Sequence, residues 1–298
     1  MKNINFMKNH KIVLIVSMLT IALSIFSFFS LNFEYGIDFK GGVVAELDFN
    51  QSVKSDDVKN ALVNDHGNVT IYKSGKSSVL TIETDSKEHF KNILSTIKSI
   101  GQWDNISILK NEFIGPKVGE ELKLNGLLAL VLVIVSVLIY TSIRFEFKFA
   151  VGAIFALVHD IIITMGMVSL FKIQVDLTVL AALLALLGYS LNDTIVVYDR
   201  IRENFQKLSD KNVYDIINIS LNETLSRTLM TSLTTASTLV ALLLFGGSSL
   251  SSFSIVLLFG IVIGTYSSIY IASNLLLIFN VDKEQFEKEE IDRENGVL

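Results

Sequence analysis

Residues Val175–Tyr198 read VDLTVLAALLALLGYSLNDTIVVY, an apolar run that is long enough to span a bilayer and yet contains Asp193. Arg227 stands at the head of the apolar segment that follows. A charged side chain in hydrocarbon costs roughly 2.5–3.5 kcal/mol on insertion scales, so such residues are usually paired and face the protein interior. The two residues therefore indicate a membrane protein with an ion or substrate path through its helices.

The composition of the chain agrees with a membrane protein. Half of the 298 residues are hydrophobic and 18% are charged, against about 25% in soluble domains. The absence of cysteine excludes disulfides and thiol chemistry, and the four histidines show no zinc-type spacing. The net charge of −5 comes without a Lys- or Arg-rich stripe. We therefore expect no nucleic-acid partner, no metal and no bound cofactor.

Six apolar segments reach the length of about 20 residues that a membrane-spanning helix needs. Lys and Arg concentrate before the first segment and in the loops after the second and the fourth, whereas the opposite short loops are nearly bare. The positive-inside rule then places both chain ends and these two loops in the cytoplasm. The predicted parts are a cytoplasmic N-terminus (1–11), a first span (12–31), a bundle (122–281) with spans near 122–142, 149–171, 175–198, 228–245 and 253–279, and a charged cytoplasmic tail (282–298).

Residues 32–121, between the first two spans, form a polar insertion that we place outside the cytoplasm. Strand-like alternation and helical periodicity follow one another there in the order βαββαβ, which predicts a ferredoxin-like α+β domain. The insertion contains no convergent catalytic set, so we interpret it as a contact module. The predicted fold is thus a membrane α-helical bundle of six transmembrane helices with one small extracytoplasmic domain.

Asp193 and Arg227 are expected to meet inside the bundle. The fourth helix runs inward and carries Asp193 toward its inner end, whereas the fifth runs outward and starts near Arg227, so the two lie at comparable depth. Burial disfavours a charged carboxylate and a nearby arginine favours it, so a moving arginine would switch the carboxyl between accepting and releasing a proton. The alternative interpretation is a static buried ion pair that holds the two helices together.

Further polar residues accompany this pair. Hydroxyl side chains near it are suited to hold water or relay protons, although hydroxyl stripes also serve as packing between helices. They are Tyr189, Ser190, Thr231 and Thr234, whereas Asn192 and Thr194 flank Asp193 and are expected to orient it. In the third span, Asp160 and His159 either join the relay or fix that helix by hydrogen bonds. In the sixth, the small residues Gly260, Gly264 and Ser268 recur every four positions, which permits close helix contact.

Five motifs carry a resemblance to a known family. They are YGIDFKGG (Tyr35–Gly42), GPKVGEEL (Gly115–Leu122), ALVHDIIIT (Ala156–Thr164), LLGYSLNDTIVVYDRIREN (Leu186–Asn204) and LNETLSRTLMTSLTT (Leu221–Thr235). In this order and with six spans, the chain resembles the bacterial SecF subunits of the SecDF protein-export complex, which belong to the resistance–nodulation–division superfamily. In that resemblance Asp193 matches the family's transmembrane aspartate of proton transport, and Arg227 matches its arginine partner.

The resemblance implies a subunit without bond-breaking chemistry of its own. It would use the proton motive force, as a heterodimer with SecD in the bacterial inner (plasma) membrane, to promote preprotein export through SecYEG after the SecA-driven step. YajC accompanies the complex in many bacteria. Lipid surrounds the helices, and the residues do not distinguish H⁺ from Na⁺ as the coupling ion. Two alternatives stay open, an independent exporter, which would need twelve spans, and a scaffold that is not energised.

Overall fold

The computed structural model describes residues 4–62, 69–73, 78–99, 106–208, 210–247 and 250–281. Within these ranges, six helices are long and apolar enough to cross a membrane, as the sequence predicts. The predicted tail, 282–298, lies outside them. In chain order the elements are a 3₁₀ turn (Phe6–Asn9), α1 (His10–Leu31), α2 (Ile37–Lys40), β1 (Gly42–Asp48), α3 (Ser55–Leu62), β2 (Thr70–Lys73), β3 (Val79–Thr84), α4 (Lys87–Ser99), β4 (Ser107–Ile114), α5 (Pro116–Arg144), α6 (Phe147–Leu170), α7 (Leu177–Lys207), α8 (Val213–Phe245), α9 (Ser251–Ser267), a π turn (Ser268–Ala272) and α10 (Ser273–Ile278).

Three of the spanning helices run well past the apolar windows that predicted them. Helix α5 begins at Pro116, because proline at the first helical position needs no backbone hydrogen bond. Helices α7 and α8 extend toward each other across the polar residues between their windows, and only residues 208–212 separate them. The Asn212 side chain caps α8 by accepting a hydrogen bond from the Asp215 amide. Hydropathy marks the stretch in lipid, whereas capping and propensity set where a helix ends.

Burial divides the bundle into inner and outer helices. Helix α6 and the sixth span, built from α9, the π turn and α10, are mostly buried. Helices α1, α5 and α8 instead leave broad apolar faces exposed. Leu229, Met230 and Leu233 belong to the exposed face of α8. Because lipid tails and apolar helices both suit such surfaces, these faces are available to the bilayer or to a partner helix.

A four-stranded antiparallel sheet with the strand order β2-β3-β1-β4 forms the insertion between α1 and α5. Helices α3 and α4 contribute to its apolar core, where Ile93 and Ile97 are fully buried together with Leu47 and Ile82 of the sheet. We refer to residues 42–114 as the α/β domain.

Short polar contacts fix the first turn of α4. The Ser86 hydroxyl oxygen accepts a hydrogen bond from the His89 amide at 3.2 Å. The His89 ring nitrogen Nδ1 lies 2.8 Å from Asp85 Oδ1, and this hydrogen bond lowers the pKa of the exposed Asp85 carboxyl. His89 thus makes local hydrogen bonds at the surface of the α/β domain.

Close packing of α1 on α6 depends on Gly166. A Cβ atom added there would lie 2.3 Å from Ser24 Oγ and 2.9 Å from Ser24 Cα, so the α1 backbone would have to move. We expect Gly166→Ala to lower the free energy of unfolding by about 1–3 kcal/mol, the usual cost of overpacking. Thermal unfolding in detergent, followed by circular dichroism, measures the change.

Gly188→Ala is the matched control, because a Cβ atom at Gly188 meets nothing within 4 Å. Replacing a helical glycine with alanine in open space is expected to be neutral or slightly stabilising. Equal unfolding temperatures for the two variants would contradict the close α1–α6 contact.

Candidate functional site

Asp193 is buried in the bundle, with 2% of its surface exposed. Its Oδ2 atom has no hydrogen-bond partner. The groups of α8 that act electrostatically on the carboxyl are the Thr231 hydroxyl and the Arg227 guanidinium. Arg227 itself is exposed in this chain. The structure thus brings the predicted pair into one region, but it shows no ion pair between Asp193 and Arg227, and Oδ2 of the carboxylate has no hydrogen-bond partner.

Asp160 occupies the polar centre of the bundle and is fully buried. Its Oδ2 atom accepts hydrogen bonds from Ser190 at 2.6 Å and from Ser267 at 2.8 Å. Its Oδ1 atom lies 2.9 Å from Nδ1 of His159. Because these donors belong to α6, α7 and α9, one carboxylate ties three helices together. We refer to Asp160, His159, Ser190 and Ser267 as the Asp160 cluster.

The Asp160 cluster continues toward α1 through aromatic and hydroxyl groups. The His159 ring stacks on Tyr266, with the ring centroids 6.2 Å apart. The Tyr266 hydroxyl lies 2.8 Å from Ser17 Oγ on α1. His159 Nε2 is buried without a hydrogen-bond partner. A row of polar groups therefore leads from the centre of the bundle to its first helix.

The hydroxyl groups predicted to accompany Asp193 are divided among several partners. Ser190 donates to Asp160 instead of Asp193, and Thr194 Oγ1 lies 3.0 Å from Ser268 Oγ. The Tyr189 hydroxyl is buried without a partner. Thr234 donates to the carbonyl four residues earlier in its own helix, as Thr231 also does. Asn192 is exposed. Of the predicted companions, Thr231 is the one that acts on the Asp193 carboxyl.

Small residues bring α9 close to α7 at this site. A Cβ atom at Gly260 would lie 2.7 Å from Leu186 Cδ2, and one at Gly264 would lie 3.1 Å from Ser190 Cβ. Ser268 donates a hydrogen bond to the Gly264 carbonyl at 2.8 Å and opens the π turn. The π turn thus lies next to the polar centre of the bundle. This position agrees with the frequent occurrence of π turns at functional sites.

Sequence reasoning missed Ser267 and Tyr266. The small residues Gly260, Gly264 and Ser268 indicated a packing surface on the sixth span, and Ser267 lies beside that surface. A usable signal was present, because a carboxylate at mid-span needs donors and Ser267 is a hydroxyl at a similar depth. The π turn, by contrast, leaves no mark on the apolar pattern.

Together, the fold and the site define a multi-pass membrane protein with two carboxylates buried inside its helical bundle. The family profile described as protein export membrane protein SecD/SecF, C-terminal, matches residues 93–282, and the SecD/SecF GG motif matches residues 26–53. The chain belongs to the SecF family of protein translocase subunits.

Relatives support this assignment over nearly the whole chain. The protein translocase subunit SecF of Vibrio alginolyticus is 40% identical, over 99% of this chain and 96% of the relative. The SecF subunit of Pseudomonas aeruginosa is 39% identical, over 94% of this chain and 93% of the relative. A crystal structure of SecDF from Thermus thermophilus, described as a translocon-associated membrane protein, matches with a TM-score of 0.82 and 34% identity. The match covers 93% of this chain and 39% of that SecDF chain.

Proposed function

We propose that this chain, paired with a SecD subunit, uses the proton motive force to promote preprotein export through SecYEG after the SecA-driven step. The observation that carries the proposal is the Asp193 carboxyl, which is buried while its Oδ2 atom has no hydrogen-bond partner. A buried carboxylate oxygen without a partner costs free energy, and a functional need is one reason for a fold to keep it. A carboxyl that takes up and releases a proton meets that need.

The arrangement of α8 favours a mobile arginine over a static ion pair. A structural pair would bind both carboxylate oxygens or lie sealed inside the protein, since a buried charge is tolerated only with good geometry. Arg227 instead lies on the exposed side of α8 and acts on Asp193 from there. A small movement of α8 would change the strength of this interaction. Each proton that crosses the membrane supplies about 2.3 kcal/mol per 100 mV for such a movement.

Asp160 and His159 hold the bundle rather than carry the proton in this proposal. All the donors around Asp160 come from side chains that are themselves buried, which suits a fixed structural centre. The partner helices from SecD would cover the apolar face of α8 that surrounds Arg227. YajC, where it occurs, would join the same assembly.

For the α/β domain we infer a ferredoxin-like βαββαβ module on the outer side of the bacterial inner membrane. The strand order β2-β3-β1-β4 with two crossing helices supports the fold. Positive residues lie at the helix ends that are remote from the α/β domain, among them Arg144, Lys148 and Arg200. By the positive-inside rule, they support a cytoplasmic location for these ends and for both termini. The domain then meets preproteins on the side where they emerge.

Complementation tests the proposed function. The chain is expressed with its own SecD in a strain that lacks SecF, and processing of a secreted reporter is followed with and without a protonophore. We expect export to be restored and its restored part to disappear when the gradient collapses. Restored export that is insensitive to the gradient would favour a scaffold. Failure to restore export, with the SecD heterodimer recovered intact, would contradict the export role.

A further inference from the structure

The segment that joins α1 to the α/β domain also holds the start of α7. The Gly36 amide donates to the Val175 carbonyl at 2.9 Å, and the Val175 amide donates to the Glu34 carbonyl at 2.7 Å. These bonds form a parallel bridge between Tyr35 and Val175. We refer to residues 34–42 as the coupling segment. It contains the YGIDFKGG motif (Tyr35–Gly42).

Asp38 of the coupling segment caps α7. The Leu177 amide, the first of α7, donates to Asp38 Oδ2 at 2.9 Å. The Val179 amide donates to Asp176 Oδ1 at 2.8 Å, so the same turn is capped twice. Carboxylates at a helix N-terminus satisfy orphan amides and complement the helix dipole. One of these two caps comes from a residue far away in the chain, which fixes α7 to the coupling segment.

The other end of the coupling segment packs closely against the sheet and against the start of α5. Gly42 has φ +143°, and a Cβ atom there would lie 2.4 Å from the Thr84 carbonyl oxygen of β3. Gly41 has φ +78°, and its Cβ would lie 2.8 Å from Pro116 Cα. Neither position accepts another residue without strain. A further hydrogen bond joins Gln174, just before α7, to Glu83 of β3 at 3.2 Å.

We infer that Asp38 is a positioning residue that couples the α/β domain to α7, the helix that carries Asp193. Helix α7 is continuous from Leu177 to Lys207, so it transmits displacement over the roughly 24 Å between Leu177 and Asp193. A tilt of α7 at Asp193 therefore moves the Asp38 cap, and the cap moves the sheet through Gly41 and Gly42. The inference rests on the proposed function, because it assumes that Asp193 changes state.

Two spin labels measure the coupling in the complete heterodimer with SecD, reconstituted in nanodiscs. The chain has no cysteine, so Ser95→Cys in α4 and Phe147→Cys at the start of α6 are its only labelling sites, and SecD is used in a cysteine-free form. Both positions are exposed. The distance between them is compared for Asp193 and for Asp193→Asn. We expect a shift between the two, and we expect Asp38→Ala to reduce that shift, while the bonds of Val175 and Gln174 to the coupling segment and the sheet remain.

Matched variants separate coupling from simple loss of a surface carboxylate. Asp38→Asn keeps an acceptor for the Leu177 amide and is expected to retain the shift. Asp56→Ala removes an exposed carboxylate elsewhere in the α/β domain and is also expected to retain it. An undiminished shift in Asp38→Ala overturns the inference, as does the absence of any shift while Asp38 is intact.

Hydrogen exchange supplies a second measurement, which stands even where Asp38→Ala fails to assemble. In the otherwise unchanged heterodimer, Asp193→Asn is expected to alter amide exchange in residues 34–42, and unchanged exchange there overturns the inference. Where Asp38→Ala does assemble, the Leu177 amide should exchange roughly five-fold faster, as expected for the loss of an N-cap. Gradient-dependent export by Asp193→Asn decides separately on the proposed function.

Discussion

Asp193→Asn is expected to reduce gradient-dependent export to the level of a strain without SecF. Asparagine has nearly the same size and shape as aspartate but neither takes up nor releases a proton. The site is buried, so the substitution removes the titratable group and leaves the packing around it almost unchanged. Export of a secreted reporter is measured in the complemented strain, after recovery of the SecD heterodimer confirms assembly. We expect the gradient-dependent part of reporter export to be lost completely.

Asp199→Asn is the matched control for this prediction. Asp199 lies on the same helix, but it is partly exposed and pairs with Arg144 at 3.2 Å near the bundle end. Exposed pairs contribute little, so normal export is expected. Unchanged export by Asp193→Asn would instead make the residue a packing element and favour a scaffold. Repeating the assay with sodium replaced by potassium identifies the ion, because export should persist if protons drive it.

Asp160→Ala is expected to have the largest effect on stability. The substitution leaves the hydroxyls of Ser190 and Ser267 and the His159 ring without their shared acceptor in the buried centre of the bundle. Each buried unsatisfied group costs about 1–3 kcal/mol, and breaking a buried network typically costs about 3–5 kcal/mol in total. The free energy of unfolding should fall by that amount. Reversible unfolding in mixed micelles, followed by helical circular dichroism, measures it.

Single serine variants calibrate the Asp160 result. Ser190→Ala and Ser267→Ala each remove one donor, and each should cost about 1 kcal/mol. The double variant should depart from additivity, because both hydroxyls bind the same oxygen. A stable Asp160→Ala protein would contradict the structural centre. A stable Asp160→Asn protein that has lost export would move Asp160 from a structural role into the proton relay.

The large elements of this fold were accessible from sequence because each depends on a local pattern. Apolar windows of spanning length marked the six helices, and alternation marked the strands of the α/β domain. The exact helix ends were not accessible, since the polar turns of α7 and α8 beyond the windows carry no hydropathy signal. The five motifs, taken in order along the chain, also placed it in its family, as the comparisons confirm.

The parts of the site that escaped prediction depend on contacts between distant residues. Ser267 meets Asp160 across 107 positions, and Asp38 meets Leu177 across 139. Periodicity gives the face on which each residue lies, but it does not give the helix that faces it. Ser190 illustrates the difference, because it shares the face of Asp193 but donates to Asp160, which belongs to another helix.

The exposed face of α8 has a consequence for the life of the chain in the cell. A copy without a partner would present the charged side chain of Arg227 to lipid, at a cost that contacts with lipid do not offset. Such an orphan copy would be a target for membrane quality control, whereas a copy assembled as proposed would have the same face covered by SecD. In the proposed assembly, Arg227 would then also help to match the numbers of the two subunits, because surplus copies would be removed until only assembled ones remained.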